Sequence, residues 1–162
     1  VDGTDLPIQE PGDPFWTGWY SHKFSGPGLR YEVASSICGG HIVWINGPYP
    51  CGAMNDLGIY KNALKHQVPP GEFVEADGGY VGEPTIKSKC DFLSRAHKKQ
   101  KSTVRARHES INKRLKQFKI LSNTYRHPIE KHDAVFRAVA VLTQLDLLHE
   151  NPLYKVKYTY RY

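Results

Sequence analysis

Three acids stand out by position rather than by type. Asp2 lies in a short opening strand, Asp77 closes the run Phe73-Val74-Glu75-Ala76, and Glu109 is the one acid in a long basic segment. Gly78-Gly79-Tyr80 follows Asp77 at once, and two glycines there let the chain turn sharply and leave the carboxylate exposed at the strand's C-terminal end. In open α/β sheets that end is where ligand chemistry sits. Three acids chosen from sixteen are a weak signal alone, so the elements that hold them decide whether they converge. Other side chains carry less. His108 falls on an apolar stripe and reads as a packed core histidine. His22, beside Lys23 in an aromatic loop, is an auxiliary candidate for touching a nucleic acid. Trp16, Trp19 and Tyr20 in the same loop are able to stack on bases, but packing over the sheet is the simpler reading. Cys38 and Cys51 read as small buried hydrophobes.

The elements follow from periodicity. Leu29, Tyr31, Val33 and Ile37 alternate with Arg30, Glu32 and Ser36, Gly39-Gly40 supplies a tight turn, and His41 to Ile45 returns as a second strand. Asn46-Gly47-Pro48 is expected to end that strand. A helix is predicted from Asp56 to about His66, capped by Asn55 or Asp56, with Ile59 and Leu64 on its buried side. Val104, His108, Ile111, Leu115 and Phe118 recur at helical spacing and predict a helix from about Ser102 to Lys119. On it Arg105, Glu109, Asn112 and Lys116 share one adjacent face. His127-Pro128 opens a final helix through about His149, whose core from Ala134 to Leu148 is apolar on nearly every side and is read as buried against the sheet. The segment Tyr154 to Tyr160 alternates and is read as an edge strand or a pendant tail. Glu10 to Pro27 is read as a loop.

Length and charge narrow the class. A chain of 162 residues, 40% hydrophobic and 23% charged, is expected to form one globular unit over residues 1–162. Its apolar runs are too short for a membrane span, and no signal-peptide pattern opens it. Three cysteines without a CxxC pair disfavour a disulfide framework and a zinc knuckle, and fit a reducing compartment. The net charge of +6 is unevenly placed: Arg95 to Lys119 holds ten basic residues and Glu109, which leaves the remainder mildly acidic. A basic segment on an acidic body suggests a polyanion partner, nucleic acid first, against the plain alternative of a solvated helix face.

Six ordered segments carry a resemblance: Val1-Asp2-Gly3-Thr4-Asp5, Trp19 to Phe24, Trp44-Ile45-Asn46-Gly47-Pro48, Asn55-Asp56-Leu57, Glu75-Ala76-Asp77-Gly78-Gly79-Tyr80 and Arg107 to Lys116. Together they resemble the DDE superfamily endonucleases, the Harbinger-type transposases and their insertion-sequence relatives. The resemblance implies an α/β, RNase H-like mixed β-sheet flanked by α-helices. It also implies catalytic and metal-binding roles for Asp2, Asp77 and Glu109, with Asp56 matching a further recurrent acid and read here as a cap or substrate-loop residue. Converging carboxylates repel by about 4 kcal/mol per pair at ~4 Å and an effective dielectric near 20. Hard divalent cations, Mg²⁺ or Mn²⁺, remove that penalty. Two of them about 3.5–4 Å apart activate water and stabilise the leaving oxygen in phosphodiester cleavage. In this scheme Asp2 bridges both ions, Asp77 holds one and Glu109 the other. Arg105, Arg107, Lys113, Lys116, Lys98 and Lys99 are the expected DNA-binding cations. The implied activity is a metal-dependent DNA endonuclease or transposase, located in a nucleus or cytoplasm and not secreted. The alternative is a catalytically silent, domesticated module that binds DNA or protein. A homodimer or a separate DNA-binding subunit is left open as a further partner. In the family the first strand begins several residues before its aspartate, and a helix-turn-helix segment precedes it; the sequence is therefore expected to hold a truncated strand, with Asp2 loosely held.

Overall fold

Alternation in the first strand sets the frame: Asp2, Thr4 and Leu6 point to one face of the sheet, Gly3 and Asp5 to the other. The computed structural model describes residues 1–12, 17–87 and 94–158. Strand β1 (Asp2–Pro7) pairs antiparallel with β3 (Gly26–Ser35), from Asp2 opposite Val33 to Pro7 opposite Gly28. The opposite edge of β3 pairs antiparallel with β4 (Ile42–Pro50), and the short β2 (Tyr20–Ser21) pairs with its first residues. Asp2 is thus fixed in a paired strand rather than frayed, and the Val1 amino group donates to the Glu75 carbonyl at 2.8 Å. A register irregularity between Arg30 and Glu32, where the extra residue falls on β4, lets β4 run on to Pro50 instead of ending at Asn46. Gly40, at φ 75°, alone supplies the left-handed residue of the hairpin loop.

Helix α1 (Asp56–Asn62) starts where the Asn55 side chain accepts from the Gly58 amide, so Asn55 rather than Asp56 is its cap. A single 3-10 turn, Leu64–Gln67, carries it on to the predicted end. Strands β5 (Val74–Glu75) and β6 (Ile86–Lys87) form a parallel pair; β5 falls within the expected strand before Asp77, and β6 has no counterpart in the sequence pattern. Helix α2 (Arg95–Gln117) begins seven residues before the predicted start, because the Ser94 hydroxyl caps it and Lys101 is drawn inward. Lys101 donates to the Lys87 carbonyl at 2.6 Å and pairs with Glu75 at 3.0 Å, so this part of the basic run holds elements together. After α3 (Lys119–Ser122) comes α4 (His132–His149).

The helices cover both faces of the sheet, giving the α/β class expected. Against one face, Ile111 and Leu115 of α2 and Phe136, Val139, Ala140 and Leu147 of α4 pack on Leu6, Leu29, Tyr31 and Val33. Against the other, Tyr60, Leu64, Tyr80 and Ile86 pack around Ala34, with Trp44 alongside. Only one face of α4 is buried: Val141, Leu142, Leu145 and Leu148 are about half exposed, which corrects the expectation of a helix covered on nearly every side. The first loop is also more ordered than expected, since Thr17–Trp19 forms a 3-10 turn and Trp19 packs against the core. Tyr20 is partly exposed and Cys38 is exposed, against the reading of both as packed, and Phe24 beside Tyr20 is partly exposed too. Residues 151–158 form no strand; Tyr154 instead ties the tail to α2 by donating to the Thr103 carbonyl. Trp16, Cys90 and Tyr160 lie outside the described residues.

Candidate active site

Helix α2 brings its adjacent face to the beginning of β1. The Asn112 amide donates to Asp2 Oδ2 at 3.0 Å, and two turns earlier Arg105 donates to the Ala76 carbonyl, next to Asp77, at 2.8 Å. Glu109 stands between these two ties on the same helical row. Asp2, Asp77 and Glu109 consequently line one cleft of about 670 Å³. Asp77 is exposed and its Oδ1 accepts from the Gly79 amide at 2.8 Å, which closes the 3-10 turn Gly78–Tyr80 and fixes the carboxylate at the strand end. Burial raises the Asp2 carboxyl above its ordinary value; the Lys23 ammonium pulls it back, and the charges of Asp77 and Asp56 push it up again. The charges of Asp2, Asp77 and Asp56 therefore act on one another here.

Asp56 belongs to this acidic face too, reached from the opposite layer. A Cβ on Gly3 would stand 2.0 Å from Asp56 Oδ1, so only glycine lets α1 seat its first carboxylate against β1. Arg30 Nε lies 3.4 Å from Asp56 Oδ1, and that oxygen is buried without a hydrogen bond. Beneath it, Arg30 grips Asp5 with two donors, Nε to Oδ1 at 2.7 Å and Nη2 to Oδ2 at 2.9 Å. Burial alone would raise Asp5, but the bonds from Arg30 and Ser21 outweigh it and hold the carboxyl below the usual range. This fork fixes β1 to β3 directly beneath the acids. Glu32, opposite Gly3 in the register, is raised by burial and accepts from the Trp44 indole at 2.8 Å.

The expected DNA-binding cations separate into two groups. Lys98, Lys99, Arg105, Lys113 and Lys116 are exposed. Arg107 is 2% exposed and donates to the carbonyls of Ser36, Cys38 and Tyr154; its charge is spent on holding a loop and the tail, which corrects its reading as a DNA contact. Desolvation, then the neighbouring charge of Lys23, lowers Lys116, so these two ammonium groups from different elements stand near each other beside the acids. Lys23 Nζ donates to the Gly3 carbonyl at 2.7 Å. His22 is exposed with its ring edge against Tyr20, and it touches none of the acids through a hydrogen bond or ion pair among the described residues. His108 is packed as expected, with Nε2 on the Val33 carbonyl at 3.0 Å and burial lowering the imidazole to about 4.

Sequence reasoning missed Asn112 and Lys23 as members of the site. The helical spacing puts Asn112 on the face of Arg105, Glu109 and Lys116, but nothing in its type announces an acid partner far away in sequence. The donor set itself, carboxylate oxygens at a solvent-open cleft, fits a hard divalent cation. Among the described residues no three of His, Cys, Asp and Glu stand close enough to surround one ion. Magnesium does not need such a cage, because it is held by one or two carboxylates together with waters and substrate phosphates.

An antiparallel sheet with a separate parallel pair, flanked by helices, brings a strand-borne aspartate, a turn-capping aspartate and a helix-borne glutamate to one cleft of an α/β protein. The comparison with protein families is specific: residues 1–144 match the model described as DDE superfamily endonuclease, and the chain belongs to that family. No curated protein and no solved structure matches it.

Proposed function

We propose that the chain is the catalytic part of a metal-dependent DNA endonuclease of the transposase type, cleaving phosphodiester bonds. The observation that carries this reading is the convergence of Asp2, Asp77 and Glu109 on one cleft, with α2 tied to Asp2 through Asn112 and to the residue before Asp77 through Arg105. Bound Mg²⁺ or Mn²⁺ would supply the activated water and neutralise the charge on the leaving oxygen, two ions serving best. In this scheme Asp2 would serve as the shared ligand, and Asp77 and Glu109 would each serve one ion. Asn112 holds Asp2 Oδ2 and so would fix the orientation of that carboxylate. Lys113 and Lys116 contact phosphates and set the position of the strand without reading its bases.

Nicking of supercoiled plasmid in Mg²⁺ or Mn²⁺ tests the reading. Wild type should nick and Asp77→Ala should lose at least about 100-fold of that rate, the scale on which catalytic groups act. Equal nicking by the two proteins would remove the assignment and leave a silent DNA-binding or protein-binding module.

A further inference from the structure

The surface changes character at the far end of β1 from Asp2. Pro7, Lys119, Ser122, Thr124, Arg126 and His127 border an open groove of about 760 Å³ whose described walls carry no acid. Lys119 and Arg126 are exposed, and the side chain of neither makes a hydrogen bond or an ion pair among the described residues. The groove is nevertheless rigidly built. Tyr125 forms a parallel bridge with Ile8, its amide donates to the Pro7 carbonyl at 3.0 Å, and its carbonyl accepts from the Gln9 amide at 2.8 Å. Residues 123–127 are thereby pinned to the end of the strand that begins with Asp2. Unpaired cations on a fixed backbone, with hydroxyl groups beside them, are what phosphate oxygens bind.

The groove also lies in line with the acids. Asn112 touches Asp2 at one end of β1, Lys116 follows one turn later on α2, and Lys119 shares the groove with Pro7 at the other end. Lysines therefore run alongside β1 from the cleft to the groove. Five residues of strand span about 17 Å at roughly 3.3–3.4 Å each. A DNA duplex advances about 3.4 Å per base pair, so the same length covers about five base pairs.

We propose that this groove is a second DNA site, holding backbone phosphates of the duplex about five base pairs from the bond presented to Asp2, Asp77 and Glu109. The proposal rests on the endonuclease reading for the identity of its ligand. Contacts of this kind are independent of base sequence and release counterions, so they show in salt dependence.

The experiment measures binding of a fluorescent 20-base-pair duplex of arbitrary sequence, without divalent metal, over a range of KCl. For the double variant Lys119→Ala/Arg126→Ala the slope of log K against log salt should be shallower by about 1.8, at 0.9 for each lost phosphate. The reference variant Lys61→Ala/Lys155→Ala removes the same net charge from exposed positions elsewhere and should leave the slope near that of wild type. Ethylation of phosphates about five base pairs from the nick should suppress nicking by wild type and have little effect on the groove variant. Equal slopes in wild type and the groove variant, or equal losses in the groove and reference variants, would overturn the site. A wild type that binds the duplex with the predicted groove dependence yet never nicks it in Mn²⁺ would instead sink the reading of the acids.

Discussion

Asn112 shows how much of the candidate chemistry rests on a neutral side chain. Its amide is the one hydrogen-bond donor on Asp2 Oδ2 among the described residues, and it sits in the buried seam between β1 and α2. Groups that hydrogen-bond to metal-ligating carboxylates fix their orientation, and losing one typically costs 10–100-fold in affinity. Asn112→Ala should accordingly weaken Mn²⁺ binding about tenfold by calorimetric titration. Its urea midpoint should move far less than a core truncation would, and Asn112→Gln should recover part of the affinity if a donor is what matters. Unchanged Mn²⁺ affinity in Asn112→Ala would make the contact merely structural. The same residue marks a limit of sequence reading. Asp2, Asp77 and Glu109 were visible because an acid beside glycines, or alone in a basic run, is conspicuous. Asn112, Lys23 and the burial of Arg107 depend on partners remote in the chain, and no local pattern encodes those. Arg107 in particular has the same composition-level signature as its exposed neighbours, yet three carbonyls claim its guanidinium.

At the scale of elements, local rules located what local physics controls. The β3–β4 hairpin, the cap at Asn55 and the apolar stripe of α2 follow from alternation, capping and helical spacing, and each stands close to where those rules put it. The first turns of α2 were hidden because Arg95 to Lys101 carries no apolar period, and the two-residue strands β5 and β6 are too short to show one. Helix α4 was misjudged in the other direction: apolar residues around its circumference suggested full burial, whereas the fold covers only the side bearing Phe136, Val139 and Leu147. That buried side begins with His132, whose Nδ1 meets the Tyr31 hydroxyl at 2.9 Å and whose imidazole burial lowers to about 4. An unfolded histidine takes up its proton near pH 6.5, so between about pH 6.5 and 4 the unfolded chain binds more protons than the folded one. Stability from the neutral ring is therefore complete above the upper value and lost as pH falls, on the order of 3 kcal/mol in all. Urea unfolding at about pH 7 and about pH 4.5 should show this loss. His132→Gln should show a smaller loss, with His108 contributing the remainder. An equal loss in both proteins would contradict the assignment.

On the scale of the whole molecule, charge and topology point the same way. The sheet is clamped between two apolar layers, and at one end of β1 a strand-borne aspartate, a turn-capping aspartate and a helix-borne glutamate face a common cleft. The basic residues that composition singled out divide between structure and surface. Lys101 and Arg107 tie α2 to its surroundings, while Lys98, Lys99, Lys113 and Lys116 remain exposed. The chain belongs to the DDE superfamily endonucleases over residues 1–144, and on the proposed function that division has a purpose: a DNA backbone would need the second group and a fixed glutamate the first. The central claim is that the three acids hold the cations that cleave the strand, with Asp2 shared. Counting bound manganese by electron paramagnetic resonance, in complex with a short duplex, addresses it directly. Wild type should bind two ions, Asp77→Asn and Glu109→Gln about one each, and Asp2→Asn none tightly. Manganese bound by Asp2→Asn as by wild type would contradict the account.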